Sequence, residues 1–305
     1  MRRASDCLKV SKDNEVRAVK PGIRLVQSRS HPGPGRPAED VDTQVIQEDA
    51  LTIDVEDVGT YTLMWTPTDL VEADGYADGD GPVGEENSAA LALATGFMFT
   101  EGIIQAMDDI HTMASCDKIP GVVRVQLKKP DDVVTRRRNV VMTSSCGICG
   151  SREVMENNAF GLTEVPNRMR LDARGFSQLM QEMRSHQAIF AETGGAHAAA
   201  IFTADGRLHA VAEDLGRHNA LDKVIGATLL AGAGFDSKGA LLSSRLSLEM
   251  VTKAVRAGLE IVAAVSAPTS LAIEVAERFG VTLCGFVRGE RATVFTHPHR
   301  IEQVD

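Results

Sequence analysis

From Thr193 to His297 short apolar runs alternate with helical stretches, and this alternation constrains the fold more than any other feature. Strand patterns cover 198–203, 208–212, 240–243, 261–266, 281–287 and 293–297, and helical patterns cover 218–231, 247–258 and 269–279. Short runs that are apolar on both faces have no side to turn to water, so the alternation predicts a mainly parallel sheet covered by helices on both faces. Asp205-Gly206, between the first two runs, marks a hairpin turn. Upstream, Asp172 is read as the cap of a helix carrying Phe176, Leu179, Met180 and Met183 on one face.

The earlier half has a different texture. Period-two alternation in Leu51-Thr52-Ile53-Asp54-Val55 and Tyr61-Thr62-Leu63 predicts two strands, and Asp57-Val58-Gly59 between them predicts a hairpin. A helix is expected from Ala89 to Thr100 with Ser88 as its cap, then strands near 110–115, 122–127 and 133–142. The chain therefore divides into a smaller strand-rich part over 43–145 and an α/β domain over 146–305, expected to be interwoven.

Charge is unevenly placed. Residues 1–36 hold nine Lys and Arg against three Asp and Glu, whereas 37–90 hold fifteen acidic residues and no Lys or Arg. The net charge of −10 thus belongs to one segment, and the body is close to neutral. Residues 1–42, with Pro21-Gly22 and the run His31-Pro32-Gly33-Pro34-Gly35-Arg36-Pro37, read as a disordered basic arm. Such an arm is a solvated tail, not a nucleic-acid binder. Residues 71–88, rich in Asp, Glu and Gly, read as an acidic insertion that loops out. There is no run of 18 apolar residues and no apolar stretch at the N-terminus, so neither a membrane span nor a secretory signal is expected. Five cysteines in 305 residues do not make a disulfide scaffold, and a reducing cytoplasm is the natural compartment.

Two of those cysteines stand in Ser144-Ser145-Cys146-Gly147-Ile148-Cys149-Gly150. A glycine after each thiol lets the backbone turn tightly and present the sulfurs, and a CxxC is one of the settings that favours thiolate. The motif alone fits half of a zinc site, a redox dithiol, a sulfur carrier or a pair of inert thiols. Zinc needs two further ligands, and the chain has no second CxxC and no matching His pair, although His197 or His218 could complete a mixed site. Sulfur chemistry at an exposed loop is the favoured reading.

Three polar loops follow strands, where sheets of this kind place their working residues. Glu213-Asp214-Leu215-Gly216-Arg217-His218-Asn219 runs into a helix whose free N–H groups favour an anion. Phe286-Val287-Arg288-Gly289-Glu290-Arg291 sets two guanidiniums around a glycine, and Ser243-Ser244-Arg245 adds hydroxyls and a third. His197 either joins them or is a satisfied structural histidine. Together they predict an extended anionic ligand such as a nucleotide with a diphosphate. No G-x-G-x-x-G and no Walker loop is present.

Ser145–Gly150, Thr193–Ala200, Glu213–Lys223, Leu283–Arg291, Ser266–Thr269, Trp65–Leu70 and Leu93–Ile104 resemble, in order, the motifs of the formate dehydrogenase accessory sulfurtransferase family (FdhD). The resemblance implies a cytidine-deaminase-like α/β sheet with flanking helices, working as a homodimer without zinc. It implies that a cysteine desulfurase passes sulfur to Cys146 as a persulfide, with Cys149 beside it. The sulfur then goes to the molybdenum cofactor, bis-molybdopterin guanine dinucleotide, for the catalytic subunit of formate dehydrogenase. The turn of Phe286, Val287, Arg288, Gly289, Glu290 and Arg291 is implied to contact that cofactor. A cofactor-escorting chaperone without essential thiol chemistry is the rival reading. The chain departs from the family pattern in its acidic insertion over 71–88 and in Ala292-Thr293-Val294-Phe295, where members often carry Asn and Tyr.

Overall fold

The computed structural model describes residues 17–68, 72–73, 88–116, 119–133, 161–289 and 291–302. Its strands are β1 (Arg17–Lys20), β2 (Ile23–Ser30), β3 (Glu39–Ile46), β4 (Asp49–Val55), β5 (Gly59–Trp65), β6 (Glu72–Ala73), β7 (Ile110–Ser115) and β8 (Val122–Leu127). There follow β9 (Leu171–Asp172), β10 (His197–Thr203), β11 (Leu208–Asp214), β12 (Lys238–Leu242), β13 (Ile261–Ala264), β14 (Thr282–Arg288), β15 (Arg291–Val294) and β16 (Ile301–Glu302). The helices are α1 (Ser88–Thr100), α2 (Gly175–Ser185), α3 (Ala188–Thr193), α4 (Arg217–Leu230), α5 (Leu248–Arg256) and α6 (Ser270–Arg278).

The central sheet has the order β15-β14-β13-β12-β10-β11-β6. Only β12–β13 and β13–β14 pair in parallel, and the other neighbours are antiparallel, so the expected mainly parallel sheet is instead mixed. The reason is local. Helical crossovers α5 and α6 join only β12, β13 and β14, whereas β11 follows the Asp205-Gly206 turn antiparallel to β10, and β15 lies antiparallel beside β14 with Arg291 opposite Arg288. Cover on both faces is present. Ala199, Ile201, Ala240, Leu242, Val262, Ala264 and Leu283 enter the core shared with α1, α4, α5 and α6. Their alternating neighbours Ala198, Ala200, Phe202, Leu241, Ile261, Ala263 and Cys284 pack with Phe176, Leu179 and Met183 of α2. That helix starts at Gly175, so Asp172 does not cap it: Asp172 lies in β9 paired with β16, and Arg174 takes the cap position.

Helix α1 is apolar on every side, the mark of an element buried all round. A second sheet, β5-β4-β8-β7, lays Leu51, Ile53, Val55, Val123, Val125 and Leu127 into the same core as α1. On another side α1 crosses α4 at very short range. A Cβ on Gly96 would lie 1.8 Å from the Asp222 carbonyl oxygen, and one on Gly226 would lie 1.8 Å from that of Ala92. Beside the crossing, Lys253 of α5 binds both oxygens of buried Asp222 at 3.0 and 2.8 Å and the Thr100 hydroxyl at 2.7 Å. Strand β6, from the start of the acidic insertion, joins the edge of the central sheet through Ala210 and Val211. One core thus runs through both halves of the chain.

The basic arm departs from expectation. Residues 17–46 form a three-stranded antiparallel sheet, with the Pro-Gly run as the connection between β2 and β3. The basic stretch lies against the acidic one, Arg29 opposite Asp40, so each supplies the partner that it lacks when read alone. Ile23 and Ile46 anchor the sheet on Ile189 and Ala196. Helix α3 was not foreseen. The strand expected at 133–142 and most of the insertion fall outside the described residues.

The α1–α4 crossing yields a sharp expectation. Gly96→Ala or Gly226→Ala forces two backbones apart, and overpacking of this kind costs about 1–3 kcal/mol or more. Chemical denaturation should show the loss for both variants, and wild-type midpoints in both would remove the crossing as a packing constraint.

Candidate functional site

The polar loops gather along one edge of the central sheet. His197, the first residue of β10, lies opposite Asp214, the last of β11. Beside it, Ala198 N–H donates to Ser243 Oγ at 2.8 Å, and Ser243 N–H donates to the Ala198 carbonyl at 3.0 Å. Val265 N–H then donates to the Leu242 carbonyl at 3.1 Å, and Phe286 N–H to the Ser266 carbonyl at 3.2 Å. The carboxyl ends of β11, β12, β13 and β14 and the start of β10 therefore form a continuous rim. The starts of α4, α5 and α6 follow from it.

Within the loop 213–219 the residues divide between frame and surface. Asp214 is fully buried: one oxygen accepts Thr66 N–H at 3.0 Å and Lys223 Nζ at 2.8 Å, the other Gly216 N–H at 2.8 Å and Asn219 Nδ2 at 2.9 Å. Lys223, also fully buried, donates to the Thr66 and Glu213 carbonyls at 2.9 and 3.0 Å and lies over the Trp65 ring. Burial pulls its ammonium below the usual lysine range, with Asp214 opposing. The Glu213 carboxylate accepts Ile189 and Phe190 N–H at 2.8 and 2.9 Å, closing the start of α3. Its carboxyl is raised by burial, which these two bonds oppose. Glu213, Asp214 and Asn219 thus belong to the scaffold, leaving Arg217 and His218 at the rim. His218 Nε2 lies 2.8 Å from Glu249 of α5.

His197 is half-buried, and its imidazole is held below its usual 6.5, first by burial and then by Arg217, His218 and Arg245, with Asp214 opposing. These four residues come from three loops and meet at one place. The sequence reading left the role of His197 open, and the structure sets it beside Arg217 and Arg245.

The turn of Phe286 to Arg291 lies farther along the rim. Arg288 and Arg291 face each other across a tight hairpin, both exposed, with Gly289 at φ 55° and open space where a Cβ would point. Glu290 falls outside the described residues. Phe286 takes φ 56°, a conformation that bulky side chains rarely adopt, and shows 47% of its surface, its ring 6.3 Å from Phe295. Val287 points inward to the core. Below the turn, burial pushes the Cys284 thiol up to about 12, which removes it as a nucleophile at neutral pH. Cys146 and Cys149 lie outside the described residues, and among those residues no group of three or more His, Cys, Asp or Glu is placed to hold a metal.

Lys223 and Thr66 were missed as parts of the site's frame. The available signal was a lysine flanked by Ala220, Leu221, Val224 and Ile225, a position that an amphipathic helix would keep apolar and that a paired charge can occupy.

Fold and site define an α/β protein with a mixed seven-stranded sheet and a cationic rim at its strand ends. A model of the FdhD/NarQ family matches residues 46–302, and the chain belongs to that family. Among similar proteins, the sulfur carrier protein FdhD of Thermoplasma acidophilum is 38% identical over 235 residues, covering 76% of this chain and 83% of its own. That of Nocardia farcinica is 40% identical over 223 residues, covering 70% and 79%. That of Anaeromyxobacter dehalogenans is 38% identical over 272 residues, covering 83% and 87%. A crystal structure of a candidate formate dehydrogenase accessory protein from Desulfotalea psychrophila shares the fold, with TM-score 0.67 and 24% identity over 91% of this chain and 99% of that one.

Two outcomes test the frame. Lys223→Met leaves the Asp214 carboxylate buried without its counter-ion and should cost about 3–5 kcal/mol in denaturant unfolding. Adding Asp214→Leu should return part of that loss, whereas a double variant as unstable as the sum of the singles would contradict the pairing. His197 tests the electrostatics. Its folded pKa lies below its unfolded one, so its contribution is present above about pH 6.5 and is lost as pH falls through the folded value. Denaturation midpoints of His197→Asn should therefore fall less than wild type between about pH 7 and 5; parallel curves would refute the shift.

Proposed function

We propose that this chain is a sulfurtransferase that carries sulfur as a persulfide on Cys146, from a cysteine desulfurase to bis-molybdopterin guanine dinucleotide. What carries the reading is membership of the FdhD/NarQ family across residues 46–302, with relatives described as sulfur carrier proteins, in a chain that holds a doubly glycine-flanked CxxC. The Cys146 thiolate attacks the outer sulfur of the donor persulfide. One S–S bond forms as the donor's breaks, and the donor's cysteine leaves as thiolate, so no outside oxidant is needed. Cys149, three residues on, stands ready to relay the sulfur.

The cofactor is substrate, not a resident group. Arg288 and Arg291 offer planar forks to its phosphate oxygens, and Gly289 lets the backbone approach closely. The exposed Phe286 ring adds an apolar face beside them. The proposal includes a cytidine-deaminase-like relationship for the sheet, a homodimer without zinc acting in the cytoplasm, and formate dehydrogenase as the recipient. The mixed sheet with helices on both faces supports the first of these. No helix among the described residues is long and apolar enough to cross a membrane.

Incubation with a desulfurase and cysteine should add about 32 Da to the intact mass, as expected for exchange at an accessible thiolate, and Cys146→Ala should abolish the gain. A Cys146→Ala protein that still supports formate dehydrogenase would replace this reading with the cofactor-escorting one. Arg288→Ala should weaken GDP binding about tenfold or more in calorimetry while leaving sulfur loading intact. Equal GDP affinities would take the turn out of the site.

A further inference from the structure

The ribbon of β1, β2 and β3 is only partly built into the body. Ile23 and Ile46, opposite each other, dock one of its faces on Ile189 and Ala196. Strand β1 covers β2 only from Ile23 to Leu25, so beyond Leu25 two strands run alone, an arrangement that is marginal in water without further cover. Successive residues of a strand point to opposite sides, so Val41, Thr43 and Val45 lie on the face turned away from Ile46. Val26 stands opposite Thr43 on that face. All four are half-buried, and the three valines enter none of the hydrophobic clusters of the described residues. Strand β3 also ends the sheet order and pairs with β2 alone. Its outer row of N–H and C=O groups therefore has no strand beside it among the described residues.

A free edge accepts another strand, and the charge of β3 decides which. Asp40 is already met by Arg29 of β2, so the edge does not call for a basic partner. It calls for one that brings no carboxylate opposite Asp40 or Asp42. A second copy of β3 does this in one register. A twofold axis perpendicular to the sheet pairs the strand antiparallel with itself, one residue lying opposite its own copy. Centred on Asp40 or Asp42, the pairing opposes two like carboxylates, and centred on Val41 it sets Asp40 against the partner's Asp42. Centred on Gln44 or Val45, it sets Asp40 or Asp42 against the partner's Glu48. Centred on Thr43 it opposes no like charges: Asp42 meets the partner's Gln44, Asp40 meets the partner's Ile46, and Val41 meets the partner's Val45. Like charges directly opposite destabilise a sheet, whereas β-branched and Thr–Thr pairs stabilise it.

We propose that two copies of this chain join edge to edge through β3, Thr43 opposite the partner's Thr43, so that the two ribbons form one six-stranded sheet. This deepens the homodimer of the proposed function by naming its contact surface, and it rests on no step of sulfur transfer. Residues 39–45 precede the stretch that the family model matches, so the contact belongs to this chain's own ribbon.

The test uses the full-length protein. In sedimentation equilibrium Val41→Lys/Val45→Lys, which sets like charges opposite each other twice across the axis, should have half the mass of wild type. Cross-linking then reads the register. Under mild oxidation Thr43→Cys should give a covalent dimer on a non-reducing gel, with peptide mapping placing the link between the two introduced thiols. Val41→Cys should not, because its own copy lies four residues along the strand, roughly 14 Å away, beyond the reach of a disulfide. A thermal melt checks that each variant is folded, and should the lysine variant not fold, the two cysteine variants decide. A folded lysine variant of wild-type mass, or equal linking through positions 41 and 43, overturns the β3 contact while leaving a homodimer by another surface. A monomeric wild type throughout the micromolar range removes both. Sulfur loading of Cys146 by a monomer would leave the sulfur-transfer reading standing.

Discussion

The contact on which the rest of the molecule depends is the buried pair of Asp214 and Lys223. Each charge is taken wholly out of water, a cost of several kcal/mol that is met only because both have every strong partner in reach. Asp214 accepts four hydrogen bonds, and Lys223 adds the carbonyls of Thr66 and Glu213. The pair therefore ties three separate pieces of chain together: the end of β5, the end of β11 and the second turn of α4. Arg217 and His218 sit between Asp214 and Lys223 in sequence, so the pose of that turn follows from the pair beneath it. A hydrophobic substitute could fill the same volume, but it would not specify where Thr66 and Gly216 must stand.

Around that pair the helices are brought close by absence of side chains. Gly96 and Gly226 allow α1 and α4 to approach until carbonyl oxygens occupy the space a methyl group would need. Close approach brings Asp222, Thr100 and Lys253 into a second buried network on the same side of the sheet. The two networks share α4, which supplies Asp222 and Lys223 from adjacent positions pointing to different neighbours. Helix α4 is thus tied to its neighbours at Asp222 and Lys223, one turn beyond the Arg217 and His218 of the rim. Elsewhere on the rim, among the described residues, Phe286 carries backbone strain at φ 56°, and its ring faces outward.

Much of this was legible in the sequence. Runs apolar on both faces required a two-sided sheet, period-two alternation marked β4 and β5, and the Asp-Gly turn marked β10 and β11. These are consequences of local geometry and burial, which every residue carries with it. The direction of β10 and β11 followed from that turn, whereas the antiparallel seat of β12 beside β10 was not legible, because where a connection brings the chain back is not written in what its apolar runs contain. Residues 17–42 read as disordered in the sequence because the partners that order them lie in other segments: the acidic β3 for the basic β2, and Ile189 and Ala196 for Ile23.

The same division holds for the site. Loop chemistry picked out Arg217, His218, Arg245, Arg288 and Arg291, since cations and glycines after apolar strands carry their meaning in the local pattern. Which polar residues turn inward was decided only in three dimensions. Glu213, Asp214 and Asn219 stand in the same loop as Arg217 and look equally suited to a ligand, yet they are spent on Thr66, Lys223 and the start of α3. By itself the sequence determined which surfaces had to be buried and which loops could meet an anion. Tertiary structure decided which charges were paired and which stayed unmet, because a charge is neutralised by whatever the fold brings within hydrogen-bond reach, often from more than a hundred residues away in the chain.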